Sequence, residues 1–395
     1  MWRRHELKPS YDAVIVGAGV HGLAAAYYLG KQYGISNVAV LEKSYLGAGA
    51  SGRNTAILRS NYRTPEGIPF YDASLKLYER LSSELDWNVL FTQCGHLTLA
   101  HNDSSVAGLR LRAENNQVLG VDSRMIGLEE IIRLVPLMDT SPGVRYPILA
   151  GLYHPPGGIV RHDAVVWAYA RACDRMGIEI HPFTEVTEIE VENRKVTGVT
   201  TNNGRIAAGT VLNATAGWAS TISRMAGVPL PIVTHPLQAC VTEPLKPFLN
   251  VVIVSATLHV YLSQTDKGEL VIGAEIDPYQ SYSMKSTLPT LEQMATYTLE
   301  LFPWLHGVRV LRQWAGICDM TPDFAPIMGA ALEVDNFYMD VGWGTYGFKA
   351  GPISGKCMAE LIATGRAPAL IEPFSPARFG TGRLVGEKAA AAVSH

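Results

Sequence analysis

The first strongly patterned segment of the chain is a short apolar run followed by glycines and a stretch rich in alanine. Residues 13–16 read Ala-Val-Ile-Val, a run typical of a strand that is buried on both faces. Residues 23–33 predict a helix that ends at Gly34, and a second apolar run at 38–41 ends in Glu42. This order predicts a parallel β-α-β unit at the start of a doubly wound α/β domain.

The middle of the chain has a different pattern, in which apolar and polar positions alternate. Residues 186–208 alternate in this way and contain Asn203-Gly204, a strong signal for a hairpin turn. A second hairpin is predicted for 258–276, and residues 290–302 predict a helix that begins with a capping box. The meander at 186–208 is predicted to belong to the α/β domain. The second hairpin and the helix are predicted to belong to a second domain with a mostly antiparallel sheet.

Length and composition narrow the class of protein. A chain of 395 residues is long enough for two or three domains, and its 47% hydrophobic and 17% charged residues fit a compact enzyme. The formal net charge of −3 gives no basic field that would attract nucleic acid or anionic lipid. The five cysteines never form a CxxC pair, so we expect no disulfide framework and no metal site. We expect a soluble, cytoplasmic protein with no membrane span.

The glycines after the first predicted strand have the spacing of a dinucleotide-binding turn. Gly17 permits the tight turn, Gly19 lets the backbone approach a diphosphate, and Gly22 lets the next helix pack on the strand. Val20 and His21 lie inside this turn, where N–H groups at the helix N-terminus can contact phosphates. The sequence therefore predicts a dinucleotide cofactor.

Two features after the second predicted strand bear on the kind of cofactor. Glu42 lies twenty residues after Gly22, where a carboxylate accepts hydrogen bonds from ribose hydroxyls, which favours FAD or NAD over NADP. Residues 47–55 then form a loop of small residues, at the place where a nicotinamide domain would begin another helix. This loop and four other segments resemble the glutathione-reductase-like flavoproteins of the D-amino-acid oxidase and sarcosine oxidase group. The four segments are residues 184–189, 211–218, 323–329 and 342–349.

This resemblance implies an α/β fold in which a Rossmann FAD-binding domain carries an inserted, mostly antiparallel α+β substrate domain. We expect residues 1–90, 150–225 and 310–395 in the discontinuous FAD-binding domain, and 91–149 and 226–309 in the substrate and interface domain. The resemblance also implies which residues bind FAD. They are Gly17, Gly19, Val20, His21, Gly22, Glu42, Asn54, Thr55, Ile57, Val186, Gly217, Thr345, Gly347, Phe348 and Lys349.

Within that group the chain is most similar to the beta subunits of heterotetrameric sarcosine oxidases. The segments that carry this likeness are residues 53–62, 154–163, 259–264 and 389–395. The resemblance implies a noncovalent FAD and a second flavin, FMN, bound covalently to His162 at the interface with an alpha subunit. It also implies that the alpha subunit binds NAD and tetrahydrofolate, and that gamma and delta subunits complete the complex. Without the matching flanks, His162 would be read as an ordinary residue at a helix start.

Arg59, Lys349 and Tyr62 are the predicted substrate-site residues. An arginine fork and a lysine ammonium can fix the carboxylate of an amino acid so that its reacting C–H group points at the flavin. The resemblance puts Arg59 and Lys349 at the carboxylate-binding positions, with Tyr62 in the same pocket, although either cation alone could be a surface charge. Single-chain sarcosine oxidases carry Lys and His at the positions of Val271 and Glu275, so we expect oxygen to react at the second flavin.

The predicted reaction is flavin-dependent oxidative demethylation of sarcosine to glycine, with formaldehyde or methylene-tetrahydrofolate and hydrogen peroxide as the other products. Two alternatives remain open at the level of the sequence. One is a single-chain FAD-dependent oxidase or dehydrogenase acting on another small amine, such as dimethylglycine, proline or glycine. The other is a flavin-holding subunit that relays electrons while another chain binds the substrate.

Overall fold

The computed structural model describes residues 3–387, with the backbone alone at residues 274 and 275. The C-terminal motif at 389–395 and the side chain of Glu275, both used in the sequence comparison, lie outside this description. The described helices are α1 (Val20–Tyr33), α2 (Gly67–Glu84), α3 (Asp103–Val118), α4 (Leu128–Leu134), α5 (His162–Arg175), α6 (Ala219–Met225), α7 (Leu288–Leu301), α8 (Gly347–Thr364) and α9 (Arg378–Thr381). Over the same residues, no helix is both long enough and apolar enough to cross a membrane.

The strands, numbered along the chain, form two large sheets and two small ones. The first large sheet has six strands. Five of them run parallel, and one edge strand runs antiparallel to its neighbour. Its order is β19 (Ile327–Ala330), β20 (Phe337–Val341), β13 (Val211–Asn213), β2 (Ala13–Val16), β3 (Val38–Glu42) and β9 (Glu179–Pro182). Ile15 points into the core formed with α1, α5 and α8, whereas Val14 and Val16 pack against the meander that follows β9. Both faces of β2 are therefore covered, as its unbroken apolar run predicts.

The meander is a four-stranded sheet that covers the second face of the parallel sheet. Its order is β1 (Ser10–Tyr11), β12 (Gly204–Ala208), β11 (Lys195–Thr201) and β10 (Val186–Glu192). The last three strands are antiparallel, and the turn between β11 and β12 contains Asn203, with Gly204 at φ +120°. The predicted hairpin is confirmed.

The second large sheet has eight strands and is mostly antiparallel. Its order is β18 (Val310–Met320), β14 (Val233–Thr242), β17 (Leu270–Ile276), β16 (Val260–Gln264), β15 (Val252–Ser255), β5 (His96–Ala100), β7 (Ala150–His154) and β6 (Arg124–Ile126). One face packs against α4 and α7 in a separate hydrophobic core, and the other face is turned toward the α/β domain. A short pair, β4 (Ile57–Leu58) and β8 (Gly158–Ile159), lies near the junction.

These sheets confirm the predicted fold class, a Rossmann-type α/β domain with a mostly antiparallel substrate domain. Two helix starts differ from the prediction. α1 begins at Val20, inside the glycine turn, and α7 begins at Leu288, where Pro289 is well suited to the first turn of a helix. The eight-stranded sheet includes Ala150–His154 and Val310–Met320, although the predicted ranges assign these segments to the FAD-binding domain. The division into two domains stays a prediction.

Candidate active site

A cavity of about 380 Å³ runs from the carboxyl ends of β2 and β3 to the inner face of the eight-stranded sheet. This volume falls within the range of about 300–1,000 Å³ that is usual for ligand pockets. The end of a parallel sheet where the strand order reverses is the common place for nucleotide binding in α/β folds. The cavity therefore joins a nucleotide-binding position to a substrate-binding sheet.

The glycine turn between β2 and α1 forms the wall at the sheet end. Gly17 has a φ of +108°, and a Cβ atom there would lie 2.5 Å from the carbonyl oxygen of Ala214. A Cβ atom on Gly22 would lie 2.0 Å from the carbonyl oxygen of Gly17, so only glycine lets the helix begin this close to the turn. The backbone N–H of Val20 donates to the Ser51 hydroxyl over 2.9 Å. Glycine at positions 17 and 22 therefore lets the turn be compact and lets the N-terminus of α1 lie close to the strand end, as a diphosphate-binding loop requires.

Glu42 closes the same wall at the end of β3. One carboxylate oxygen accepts a hydrogen bond from the backbone N–H of Ala18 at 3.1 Å, and the other accepts from Ser44 at 2.9 Å. Burial raises the pKa of this carboxyl, and the two backbone hydrogen bonds oppose that shift. The side chain is thus held in place at the cavity, where its remaining lone pairs are available to ribose hydroxyls.

Most of the predicted cofactor-binding residues line this one cavity. They are Gly17, Gly19, Val20, His21, Glu42, Asn54, Thr55, Ile57, Val186, Thr345, Gly347, Phe348 and Lys349. Gly22 and Gly217 do not line it and act instead through packing, since a Cβ atom on Gly217 would lie 2.3 Å from Ile317. The glycine turn, the anchored glutamate and the small-residue loop together fit an FAD molecule.

The opposite end of the cavity is lined by buried cations. Arg59 and Arg112 are 8% and 7% exposed, and Lys349 is partly buried in the first turn of α8. Burial lowers the pKa of Arg112, and the charge of Glu387, a buried carboxylate that lines the same cavity, opposes this shift. Burial, and then the charge of Arg59, hold the pKa of Lys349 well below its usual value. Because an excess of buried positive charge is costly, this cluster is suited to an anionic ligand.

Arg59 and Tyr62 are positioned by helix α3 of the substrate domain. Arg59 donates from Nη1 to the Asn61 backbone oxygen at 3.0 Å, and its guanidinium lies 4.3 Å from the centre of the Tyr62 ring. Arg112 donates from Nε to that same Asn61 oxygen at 2.6 Å and from Nη2 to the Asn61 side-chain oxygen at 2.9 Å. One turn later, Asn116 donates to the Tyr62 backbone oxygen at 2.9 Å. One face of α3 therefore donates hydrogen bonds to two consecutive backbone carbonyl groups.

Arg112 and the polar groups on strand β5 also belong to the site, although the sequence did not predict them. His96 and Thr98 both line the cavity, and His96 Nδ1 and Thr98 Oγ1 have no hydrogen-bond partner in the described part of the chain. Burial, followed by the charges of Arg59 and Arg112, lowers the pKa of His96, which keeps its imidazole neutral. The available signal for Arg112 was its position on the buried stripe of α3, which also contains Leu109, Ala113 and Asn116.

His162 lies away from the cavity, at the first residue of α5. Its side chain is partly buried, and Nδ1 has no hydrogen-bond partner within the described residues. Burial is the main cause that lowers its pKa, so the neutral imidazole is favoured. Arg161 and Arg312 add to this shift, and Asp163 opposes it. His162 therefore has a neutral imidazole whose Nδ1 atom is buried, at a position that does not line the cavity.

Fold and site together are typical of an oxidoreductase that binds a dinucleotide. A family model described as FAD dependent oxidoreductase matches residues 12–361. The sarcosine oxidase subunit beta of an Arthrobacter species is 46% identical over 395 residues, covering 100% of this chain and 97% of that protein. The corresponding subunit of Rhodobacter capsulatus is 44% identical, with 100% and 94% covered. The chain belongs to the FAD-dependent oxidoreductase family and, within it, to the group of sarcosine oxidase beta subunits.

Among solved structures, the L-proline dehydrogenase from P. horikoshii is similar over nearly the whole chain. It superposes with a TM-score of 0.89 and 30% sequence identity, and the match covers 96% of this chain and 100% of that one. The two proteins therefore have the same fold over nearly the whole chain.

Proposed function

We propose that this chain is the flavin-carrying beta subunit of a multisubunit sarcosine oxidase. In the overall reaction, sarcosine, oxygen and water give glycine, formaldehyde and hydrogen peroxide, and tetrahydrofolate, where present, takes the one-carbon unit as its methylene derivative. The observation that carries this proposal is the cluster of Arg59, Arg112 and Lys349, three cations that line a dinucleotide cavity in which one buried carboxylate, Glu387, faces them. The carboxylate of a small amino acid would balance the remaining positive charge.

The residues of this chain bind and orient the substrate. Bound FAD would supply the two-electron acceptor for the substrate C–H bond. Arg59 and Lys349 hold the carboxylate, and the aromatic rings of Tyr62 and Tyr346 pack beside the Arg59 guanidinium at 4.3 and 5.8 Å. The cations disfavour a protonated amine next to them, so the neutral amine, which has the lone pair needed for oxidation, is the form favoured at the site. The neutral His96 adds a polar contact without another charge.

We further propose that FMN is attached covalently to His162 and receives electrons from the FAD site. The lowered pKa of His162 supports this assignment, because attachment would need a neutral imidazole to bond to the flavin 8α-methyl carbon. That carbon would lose a C–H proton, the imidazole would lose its N–H proton, and the two electrons would remain on the flavin until oxygen takes them up. His162 does not line the cavity, so a second flavin would not compete with FAD for space. An alpha subunit that binds NAD and tetrahydrofolate, together with gamma and delta subunits, would complete the enzyme. The five unpaired cysteines fit the cytoplasmic location that we propose.

The test is to coexpress the chain with its neighbouring subunits, precipitate the complex in acid and view a denaturing gel under ultraviolet light. We expect fluorescence on this chain that disappears in His162→Ala, together with peroxide formation from sarcosine in the unmodified complex. His306→Ala, which changes an exposed histidine outside the cavity, is the control and should keep the fluorescence. Release of all flavin as FAD would contradict the covalent FMN assignment.

A second candidate is an FAD-dependent dehydrogenase that acts on proline or dimethylglycine. The structural likeness to an L-proline dehydrogenase over 96% of the chain favours it. Both functions use the same carboxylate site, so they differ in substrate preference and in the electron acceptor. Turnover of the chain without other subunits, with proline faster than sarcosine and with a dye in place of oxygen, would support this candidate instead.

A further inference from the structure

The side chain of His21 connects the dinucleotide-binding turn to helix α8. Its Nε2 atom lies 2.9 Å from the backbone oxygen of Gly347, the first residue of α8. Its Nδ1 atom lies 2.8 Å from the hydroxyl oxygen of Ser354, two turns further along the same helix. The imidazole also stacks on Trp343, with the ring centres 4.5 Å apart. His21 therefore connects the N-terminus of α1 with the N-terminus of α8, where Lys349 lies.

The hydrogen-bond partners of His21 determine how many protons the imidazole, the Ser354 hydroxyl and the Asp340 carboxyl carry together. A carbonyl oxygen only accepts, so Nε2 of His21 must donate to Gly347. The Ser354 hydroxyl is also bonded to Oδ2 of Asp340, whose Oδ1 accepts from the indole N–H of Trp343 at 2.9 Å. One hydroxyl has one proton, so Ser354 cannot donate both to Nδ1 of His21 and to Asp340.

Two arrangements satisfy every contact, and both contain one additional proton. In the first, Nδ1 of His21 donates to Ser354, and a cationic imidazolium faces the Asp340 carboxylate, whose Oδ2 atom is 3.4 Å from Nδ1. In the second, Asp340 carries the proton, donates to Ser354, and the hydroxyl donates to a neutral His21. Without that proton, two lone pairs would face the Ser354 oxygen with a single hydrogen between them.

We propose that His21, Ser354 and Asp340 form a proton-sharing latch that holds Lys349 in position relative to the diphosphate-binding turn. These are positioning residues, because they act through α8 and through the turn. The inference rests on the FAD assignment, and it is independent of the choice of sarcosine as substrate. When the proton is on His21, the latch also places a positive charge beside the turn that holds the diphosphate.

The packing of the two helices supports this role. A Cβ atom on Gly355 would lie 2.6 Å from the backbone nitrogen of Ala25, and one on Gly351 would lie 2.4 Å from Val20 Cγ2. The helices α1 and α8 therefore touch along their backbones, and a latch at one end fixes how far each is shifted along the other.

Two other titratable groups face the latch. Burial raises the pKa of Asp319, which interacts with the charge of His21, to about 6. Burial also raises the pKa of Cys357, which lies near Asp340, to about 12, so this thiol is neutral at physiological pH. Asp319 is therefore the other group whose charge changes near neutral pH beside the latch.

Three substitutions each remove a different contact or proton of the latch. His21→Gln can keep a donor near Gly347 and removes the contact with Ser354, whereas His21→Asn does the reverse. Asp340→Asn keeps every hydrogen bond, since the new amide can donate to Ser354 and the hydroxyl can donate to a neutral His21, but it removes the need for the additional proton. His306→Gln, at an exposed histidine outside the cavity, is the control.

The experiment uses the full chain, coexpressed with its partner subunits and labelled with 15N-histidine and 13C-aspartate. Under the conditions of the FAD-binding measurement, we expect the spectra of the unmodified protein to show the additional proton, either on both His21 nitrogens or on the Asp340 carboxyl. In Asp340→Asn, that proton should be absent from His21. We also expect His21→Gln and His21→Asn each to weaken FAD binding about tenfold or more and to raise KM, with His306→Gln within about threefold of the unmodified chain.

The proposal is overturned if the spectra show no additional proton on His21 or Asp340 under the conditions of the FAD-binding measurement, or if both His21 variants retain FAD as firmly as His306→Gln does. The NMR readout does not depend on turnover. A chain with the shared proton but no sarcosine oxidation would therefore contradict the proposed function alone.

Discussion

Removing the positive charge of Lys349 tests the proposed carboxylate site most directly. Lys349→Met keeps an unbranched side chain of similar length in the first turn of α8. An ammonium and a carboxylate about 4 Å apart attract by about 4 kcal/mol at an effective dielectric constant near 20, before desolvation is subtracted. Measured hydrogen bonds to charged groups contribute about 1.5–3 kcal/mol, so we expect carboxylate binding to weaken about 10- to 150-fold.

The assay is a titration of the flavin absorbance with methoxyacetate, which has the carboxylate of sarcosine and an ether oxygen in place of the amine. Lys356→Met is the matched control, because Lys356 lies on the same helix and does not line the cavity. Both variants should retain FAD. Equal affinities for methoxyacetate in Lys349→Met and the unmodified protein would refute the assignment of Lys349 to the carboxylate.

Because the pKa of Lys349 is lowered, the affinity of the site for a carboxylate should depend on pH, and the direction of this dependence can be worked out. In the free site, burial and the charge of Arg59 favour the neutral amine. A bound carboxylate favours the ammonium, so binding raises this pKa and takes up a proton between the two values. Affinity should therefore fall as the pH rises through that window. Calorimetry in buffers of different ionisation enthalpy measures the uptake, which should be absent in Lys349→Met.

The remaining predictions concern the turn, a buried acid and α3. Gly22→Ala should give a chain without bound flavin, because its methyl group would lie 2.0 Å from the Gly17 oxygen, whereas Gly49→Ala, with nothing within 4 Å, should retain it. Burial raises the pKa of Asp319 from 3.8 to about 6, so the folded state holds a proton that the unfolded state lacks, and stability falls as the pH rises through this interval. Asp319→Asn should therefore be more stable at pH 7.5, by up to about 3 kcal/mol in denaturant unfolding, with a smaller difference at pH 4.5. Arg112→Met should raise KM for sarcosine about tenfold with flavin content unchanged, and an unchanged KM would contradict the role of α3.

The dinucleotide-binding unit could be predicted from the sequence because its causes are local. An apolar run, three glycines and an alanine-rich segment each restrict the backbone within a few residues, and Gly17 and Gly22 occupy positions where a Cβ atom would strike backbone oxygens. The hairpin at Asn203 was predictable for the same reason. The start of α7 was wrong by two residues, since a capping-box pattern at Thr290 competed with the helix-starting tendency of Pro289.

The sequence by itself thus determined the fold class and the order of segments around the cofactor, together with the resemblance that led to Arg59 and Lys349. Only the tertiary structure decided which side chains meet at the other end of the cavity. Arg112 lies 51 residues from Asn61, and His21 lies 333 residues from Ser354. Contacts over such separations depend on how α3 packs on the segment after β4 and how α8 packs on α1. Packing of that kind arises from the whole core, and no local pattern of residues encodes it.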